Sequence, residues 1–437
     1  MKLTVSLAAA LALSSTALAQ SEVEVDCAGD QRSTAGQSDG NNCTSEPIRI
    51  LTGGYNGAFS VLSFSPCDSK LTNITGIAQA GSGPSWATWD QDNPNEIWVT
   101  NDGASKDSNG LTYFKWSESS KQLLLQDQGT SGLAGTVSVR RSRLSGSRCL
   151  FAAGYGAKAV SSQRLNATGS LITSSNAGST HYSPTVVSFD GSGPNKERQD
   201  QSRPHQVIDS PDGSFVYSPD LGADVIHVLT YDGDKSDCKL KKLPKVKTNA
   251  GDGPRHMTFV QGSNATFAYV VTELGGTIRS YSVDTKTGKL TLLNSPSAAL
   301  STRKGIETGP IHEALIAPSE AMVTPDGKHV YVANRHLPRS KYDQDLIAHF
   351  TRDVNTGVLS GPLAQFSSGG RNPRHASMSA DGNYIVVANQ AEDGDPTKGA
   401  GIAVLQRDVE TGSLKVVETW ANVTGAAYAA WWPGTQL

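Results

Sequence analysis

The sequence predicts an all-β fold, a seven-bladed β-propeller of four-stranded antiparallel blades. Three observations predict it: a strand meander, its recurrence, and the turn chemistry between its strands. The clearest meander runs from Arg203 to Tyr231. Val207 and Ile208 sit in a first strand, Pro211-Asp212-Gly213 has the composition of a tight turn, and Phe215 to Tyr217 alternates at the strand period. Leu221-Gly222-Ala223-Asp224 turns the chain again, and the β-branched run of residues 225–231 returns antiparallel.

The meander recurs. Pro254-Arg255-His256 leads to residues 268–274 and 277–281, Pro318-Ser319-Glu320 leads through Pro325-Asp326-Gly327 to 330–335, and Pro373-Arg374-His375 leads through Ala380-Asp381-Gly382 to 385–390. Spacings of about 50 to 65 residues lie at or above the upper end of blade periods, and four strands per unit of that length mean radial blades rather than a sandwich. Upstream, residues 84–89 followed by 96–102 repeat the layout, and 136–139 followed by 150–155 are a weaker copy. The strand group in residues 48–64 brings the count to seven. Closing a propeller ring removes exposed strand edges, so residues 48–64 are expected to share a blade with strands near the C-terminus. The polar stretch 173–201 reads as an insertion between blades on one face.

At 437 residues the chain could hold two or three domains, but the repeat assigns residues 48–437 to one ring. A formal net charge of −3 argues against nucleic acid or an anionic membrane as partner. Residues 1–19 read as a secretory signal: Met1-Lys2, a mainly apolar run to Leu13, and Ala17-Leu18-Ala19 as a small-x-small cleavage site. That run is too short to span a bilayer, and no other stretch is a candidate. Residues 20–47 form a polar segment rich in Gly, Ser, Asn and Asp. Five Asn-x-Ser/Thr acceptors, Asn42, Asn73, Asn166, Asn264 and Asn422, fit a secreted glycoprotein, extracellular or associated with a cell wall. The five cysteines, Cys27, Cys43, Cys67, Cys149 and Cys238, show no metal-binding spacing. In an oxidising compartment they predict one or two disulfides, Cys27 to Cys43 being the most economical, with one thiol left over.

The clear units open with Pro-His, Pro-Arg-His or Pro-Ser-Glu, and each places a polar residue just after an apolar strand run: Asp220, Glu273, Arg335 or Gln390. In a blade these positions lie near the top of an inner strand, where the blades converge on the central channel. Arg203, His205, Arg255, His256, Glu273, Glu320, Arg335, Arg374, His375 and Gln390 are therefore the candidate site. Several Arg with His and Glu beside a channel suit a small anionic substrate with several carboxylates. Arg279, in the third strand of its blade, is expected to lie away from the channel and to matter little.

The units Arg-Pro-His-Gln (203–206), Gly-Pro-Arg-His-Met (253–257), Tyr-Val-Val-Thr-Glu-Leu (269–274), Tyr-Val-Ala-Asn-Arg (331–335) and Asn-Pro-Arg-His (372–375) resemble those of the lactonase family of seven-bladed propellers. That family holds bacterial 6-phosphogluconolactonases and the fungal carboxy-cis,cis-muconate cyclase. The resemblance covers residue 48 to the C-terminus and is closest from Arg203 to Leu414. It implies the propeller, an activity without cofactor or metal, and, by motif, a catalytic set of His205, Arg255, Glu273 and Arg335. Arg203, His256, Glu320, Arg374, His375 and Gln390 then contact the substrate.

The implied reaction is intramolecular lactonization of a polycarboxylate, or its reverse. One carboxylate adds to a conjugated double bond, guanidinium groups stabilise the developing charge, and His205 or Glu273 delivers the proton. A carboxylate is already a nucleophile at neutral pH, so nothing calls for a metal. Two other readings stay open: a secreted or cell-wall glycoprotein that uses the propeller for adhesion or ligand binding without turnover, and an extracellular lactonase acting on a sugar or acyl lactone. The oligomeric state is open, a monomer included.

Overall fold

The structure, a computed structural model, describes residues 45–75, 78–106, 108, 110–171, 184–233, 237–262, 264–293, 297–298, 317–335, 344–391, 399–421, 423 and 425–433. The regular elements are strands in seven antiparallel sheets of four or five. Strand character follows burial. Second strands of the blades, such as Thr266–Thr272 and Tyr384–Asn389, are buried at every position between neighbouring sheets and so read as unbroken apolar runs. Fourth strands such as Gln122–Gly129 face solvent and carry polar residues.

The first blade is closed as expected. Ile48–Gly54, Ala58–Ser65 and Lys70–Asn73 pair in sequence, and the C-terminal strand Ala426–Trp431 adds to Ile48–Gly54 as the innermost strand, with Thr52 opposite Ala429. The second to seventh blades follow in chain order, with inner strands Ala87–Trp89, Thr136–Arg141, Ile208–Asp209, Pro254–Gln261, Ala317–Val323 and Pro373–Met378.

One device locks consecutive blades. Tyr217, Tyr269 and Tyr331, each buried in a second strand, donate their hydroxyls to the carbonyls of Gly288, Gly357 and Gly412 in the outer hairpin of the next blade, at 2.9, 2.8 and 2.8 Å. Those glycines have φ near +72°, and a Cβ on Gly357 would stand 2.2 Å from the Phe267 ring, so no other residue fits. The buried disulfide Cys149–Cys238 joins the third blade to the segment after the fourth blade's third strand across 89 residues, worth about 4 to 5 kcal/mol in a chain-entropy account. Cys67 is also disulfide-bonded. The expected Cys27 to Cys43 pair lies outside them as well, as do the signal segment and the polar segment up to residue 44.

The reading of residues 173–201 as a plain insertion is corrected. Thr185–Ser188 forms the outer strand of the third blade, paired to Ala159–Arg164, and the chain from 189 onward turns back toward the channel. Of the glycan acceptors, Asn73 and Asn264 are exposed and Asn166 is half-buried in a turn; Asn42 and Asn422 lie outside the described residues. Among the described residues no helix is long and apolar enough to cross a membrane.

Candidate active site in the channel

The site is built by a bulge repeated around the ring. The ladder slips by one residue between Pro254 and His256, between Pro318 and Glu320, and between Pro373 and His375, leaving Arg255, Ser319 and Arg374 as the extra residues. The same slip leaves Val137 in the third blade and Ala427 in the first. Proline suits the position before a bulge, since it has no N–H to give to a ladder. A bulge re-aims its side chains, so residues that would alternate across the sheet can both face the channel. Ser85 and His205 follow prolines at the corresponding point of the second and fourth blades. Ser85, Val137, His205, Arg255, Arg374 and Ala427 thus line a recess of about 240 Å3, open mouth included, with Trp86 and His256 at its wall.

One residue further along the inner strands, a second layer fills the channel. Glu320 Oε2 lies 2.8 Å from His256 Nδ1 and 3.7 Å from His375 Nε2. His256 Nε2 lies 3.2 Å from His205 Nδ1. His375 Nδ1 donates to the Ala429 carbonyl at 2.8 Å, which leaves its Nε2 as the acceptor. Trp86 packs edge-on against both His256 and His375, at ring separations of 5.0 and 4.8 Å, and Tyr428 covers His375 at 4.5 Å. In this dry setting burial pushes the Glu320 carboxyl up to about 8, against the opposing pull of Arg255 and the Ala321 amide. Burial, aided by the Arg255 charge, holds His205 and His256 well below the usual imidazole range, and His375 falls to about 4 despite its bond to Ala429.

Glu273 has the opposite environment. Its Oε2 meets Arg255 Nε at 2.9 Å and Arg335 Nη2 at 2.5 Å, and its Oε1 accepts from Arg198 Nη2 at 2.5 Å. Burial alone would raise its pKa, but the charges of Arg335, Arg198 and Arg255 overrule it and hold the carboxyl well below the carboxylate range. Arg255 also donates to the Ser319 carbonyl at 2.6 Å and Arg335 to the Ala317 carbonyl at 3.1 Å, which fixes both guanidinium planes.

The structure brings His205, Arg255, Glu273 and Arg335 into one connected cluster, with His256, Glu320 and His375 adjoining it. Arg374 lines the recess, donates to Gln390 Oε1 at 3.2 Å and stacks over Tyr55 at 5.0 Å. Gln390 therefore orients Arg374. Arg203 is held away from the cluster, stacked over Tyr155 at 4.9 Å and paired with Asp200 at 2.6 Å. Asp220 holds the turn that precedes the site, accepting from Ser202 Oγ at 2.5 Å and the Arg203 amide at 2.6 Å.

Sequence reasoning missed three participants. Arg198 comes from the stretch outside the repeat. Trp86 and Tyr428 occupy the repeat positions of His256 and His375, and the alignment of Pro84-Ser85-Trp86 with Pro254-Arg255-His256 could have found the first. The expectation that Arg279 is a neutral bystander is corrected: it is buried and pairs with both oxygens of Asp252, at 2.8 and 2.7 Å. Among the described residues no group of three or more His, Cys, Asp or Glu could hold a metal ion.

A family model described as "Lactonase, 7-bladed beta-propeller" matches residues 49–431, and the chain belongs to that family. It is 29% identical over 369 residues, 83% of each chain, to a protein of Arthroderma benhamiae named "Probable 6-phosphogluconolactonase". It is 28% identical over 240 residues to the 6-phosphogluconolactonase of Formosa agariphila, a match covering 55% of this chain and 60% of that one. Its fold superposes on the periplasmic gluconolactonase of Pseudomonas aeruginosa with a TM-score of 0.72 at 24% identity, covering 88% of this chain and 99% of that one.

Proposed function

We propose that the protein opens a lactone ring that carries an anionic substituent, in the recess at the channel mouth. The observation that carries this reading is charge: Arg198, Arg255 and Arg335 surround a single ionised carboxylate, Glu273, and Arg374 adds a further cation at the recess, while the other carboxyl, Glu320, is kept from ionising. A cluster with surplus positive charge in a low-dielectric channel attracts an anion strongly. The two relatives named as 6-phosphogluconolactonases support a sugar lactone as the substrate class.

In this reading Arg255 and Arg374, which reach the recess, hold the anionic group and the oxyanion formed when water adds to the lactone carbonyl. His205 is the titratable group at the recess that is free to move a proton: its Nδ1 faces His256, and its Nε2 has no hydrogen-bond partner among the described residues. Glu273 acts as a fixed counter-charge, since a carboxyl held ionised by three guanidinium groups has no proton to give. A polycarboxylate cyclase would use the same arginines for its carboxylates, so it is the second reading. The secretory signal and glycan acceptors make an extracellular setting part of the proposal.

The test uses the purified chain with 6-phosphogluconolactone, glucono-1,5-lactone and 3-carboxy-cis,cis-muconate. Faster opening of the phosphorylated lactone than of the neutral one, both corrected for spontaneous hydrolysis, is the expected result. Cyclization of the muconate without lactone opening would select the second reading. Binding of these anions with no turnover would select the ligand-binding propeller.

A further inference from the structure

We propose that Glu320, His256 and His205 form a proton relay ending at His205 Nε2 in the recess, and that the proton count of this trio decides whether His205 meets the substrate as a base or as an acid. The proposal rests on the lactone-opening reading for its substrate, but not for its geometry.

The contacts leave little freedom. Both imidazoles stay neutral, so each carries one proton on two nitrogens. His256 uses both of its nitrogens inside the cluster, Nδ1 toward Glu320 at 2.8 Å and Nε2 toward His205 at 3.2 Å, while Arg255 Nη1, which can only donate, lies 3.2 and 3.3 Å from the same two nitrogens and serves whichever one accepts. One must donate and the other accept, so the chain has only two polarities. With Glu320 protonated, its hydroxyl donates to His256 Nδ1, His256 Nε2–H donates to His205 Nδ1, and His205 presents Nε2–H to the recess. With Glu320 ionised, His256 Nδ1–H donates to the carboxylate, His205 Nδ1–H donates to His256 Nε2, and His205 presents a lone pair. One proton lost by the trio therefore appears as a reversal at an atom two residues away from the carboxylate, and the apparent pKa belongs to the set.

The surroundings place that reversal within reach of ordinary pH. Glu320 faces Arg255 and His256 from the fifth blade, His375 from the seventh and Tyr428 from the first; its carboxyl is pushed up to about 8. His205 faces Arg255, Glu273, Arg335 and Arg374, whose charges act on it without bonding it. During lactone opening, His205 Nε2 takes a proton from water as the hydroxide oxygen bonds to the carbonyl carbon. Its own Nδ1 proton passes to His256, and the His256 Nδ1 proton passes to Glu320. When the ring C–O bond breaks, the same three protons move back and His205 Nε2–H protonates the departing oxygen. The carboxylic acid product then loses its proton to solvent, so atoms and charge balance. Glu320 does not line the recess and His256 meets it only at the wall; both position and supply the proton at His205.

The experiment is nitrogen NMR of the full chain labelled with 15N-histidine, followed from about pH 6 to about pH 10. The His205 signal is assigned by its loss in His205→Gln. The expected result is a swap of the protonated nitrogen from Nε2 to Nδ1 as pH rises, with the ring neutral throughout, and no swap in Glu320→Gln. In parallel, kcat/KM for lactone opening should climb about tenfold per pH unit up to the apparent pKa in the wild type and lose that limb in Glu320→Gln. A His205 that keeps one tautomer, becomes an imidazolium, or swaps equally in Glu320→Gln overturns the relay, and the wild-type spectrum alone suffices if the variant fails to fold. A swap with no lactone opening leaves the relay standing and removes the proposed function; opening without a swap does the reverse.

Discussion

Two buried glutamates a few ångströms from the same arginine sit in opposite protonation states. Glu273, at the end of a second strand, is 2% exposed and gripped by Arg198, Arg255 and Arg335. Glu320, on an inner strand, lies among His256, His375, Tyr428 and Trp86, and among the described residues Arg255 is the cation that acts on it. Burial is common to both and raises both; what differs is whether enough opposite charge is present to overrule it. One channel thus holds a permanent anion that organises cations and a neutral acid that can exchange a proton. Environments that push two like groups apart are how acid and base roles are assigned within one site.

The largest effect should come from removing the charge of Glu273. Glu273→Gln leaves three guanidinium groups without their counter-ion in a buried setting, and breaking such a pair costs about 3–5 kcal/mol. Urea unfolding should show that loss. Arg279→Ala, which strands the buried Asp252, should lose stability on the same scale while KM for an anionic lactone stays unchanged, because the pair lies outside the recess. Equal KM changes in the two variants would mean that the Glu273 cluster is structural only.

A second effect separates the two glutamates by pH. Folding lifts the Glu320 pKa from the ordinary 4.5 to about 8, so the folded state holds a proton that the unfolded state releases in that window. Stability should therefore fall as pH rises between these values, by up to about 1.4 kcal/mol per pH unit, and Glu320→Gln should remove that slope. Glu273 has the opposite sign: its depressed pKa contributes stability that is present above pH 4.5 and is lost as pH falls through the folded value. Wild-type and Glu320→Gln melts that run parallel from pH 5 to 8 would refute the assignment of Glu320 as the neutral carboxyl.

The fold was legible because the fifth, sixth and seventh blades write the same instructions: a proline before the bulge, a buried apolar second strand, a tight turn. Arg255 and His256, or Arg374 and His375, could be placed at the channel from register alone, since a repeat that puts one blade's residue there puts every blade's there. The protonation of Glu320 was not legible. It depends on His256, His375, Trp86 and Tyr428, four residues from four different blades, and no local pattern records their meeting. Arg279 was misjudged for a similar reason, because its partner Asp252 sits in a loop before its blade rather than on the neighbouring strand. Arg198 was invisible because it lies outside the periodic units altogether.

That position makes Arg198 the finest probe of the Glu273 cluster. Arg255 and Arg335 both meet Oε2, whereas Arg198 alone bonds Oε1 and is 37% exposed at its side chain, so it can reach a ligand without leaving a void. Its loop does not depend on it: buried Gln199 donates to the Leu221 carbonyl at 2.9 Å and to Asp224 Oδ1 at 2.7 Å. Arg198→Ala should therefore leave stability nearly unchanged and Glu273 ionised by its two remaining partners. What it removes is one cation, and losing a charge-assisted hydrogen bond of about 1.5 kcal/mol corresponds to roughly tenfold in KM for an anionic lactone. KM for a neutral lactone should hardly move. Arg198→Lys keeps the charge but not the planar fork and should recover only part of the loss. If both lactones weaken equally in Arg198→Ala, the residue shapes the mouth of the recess and takes no part in reading the substrate's charge.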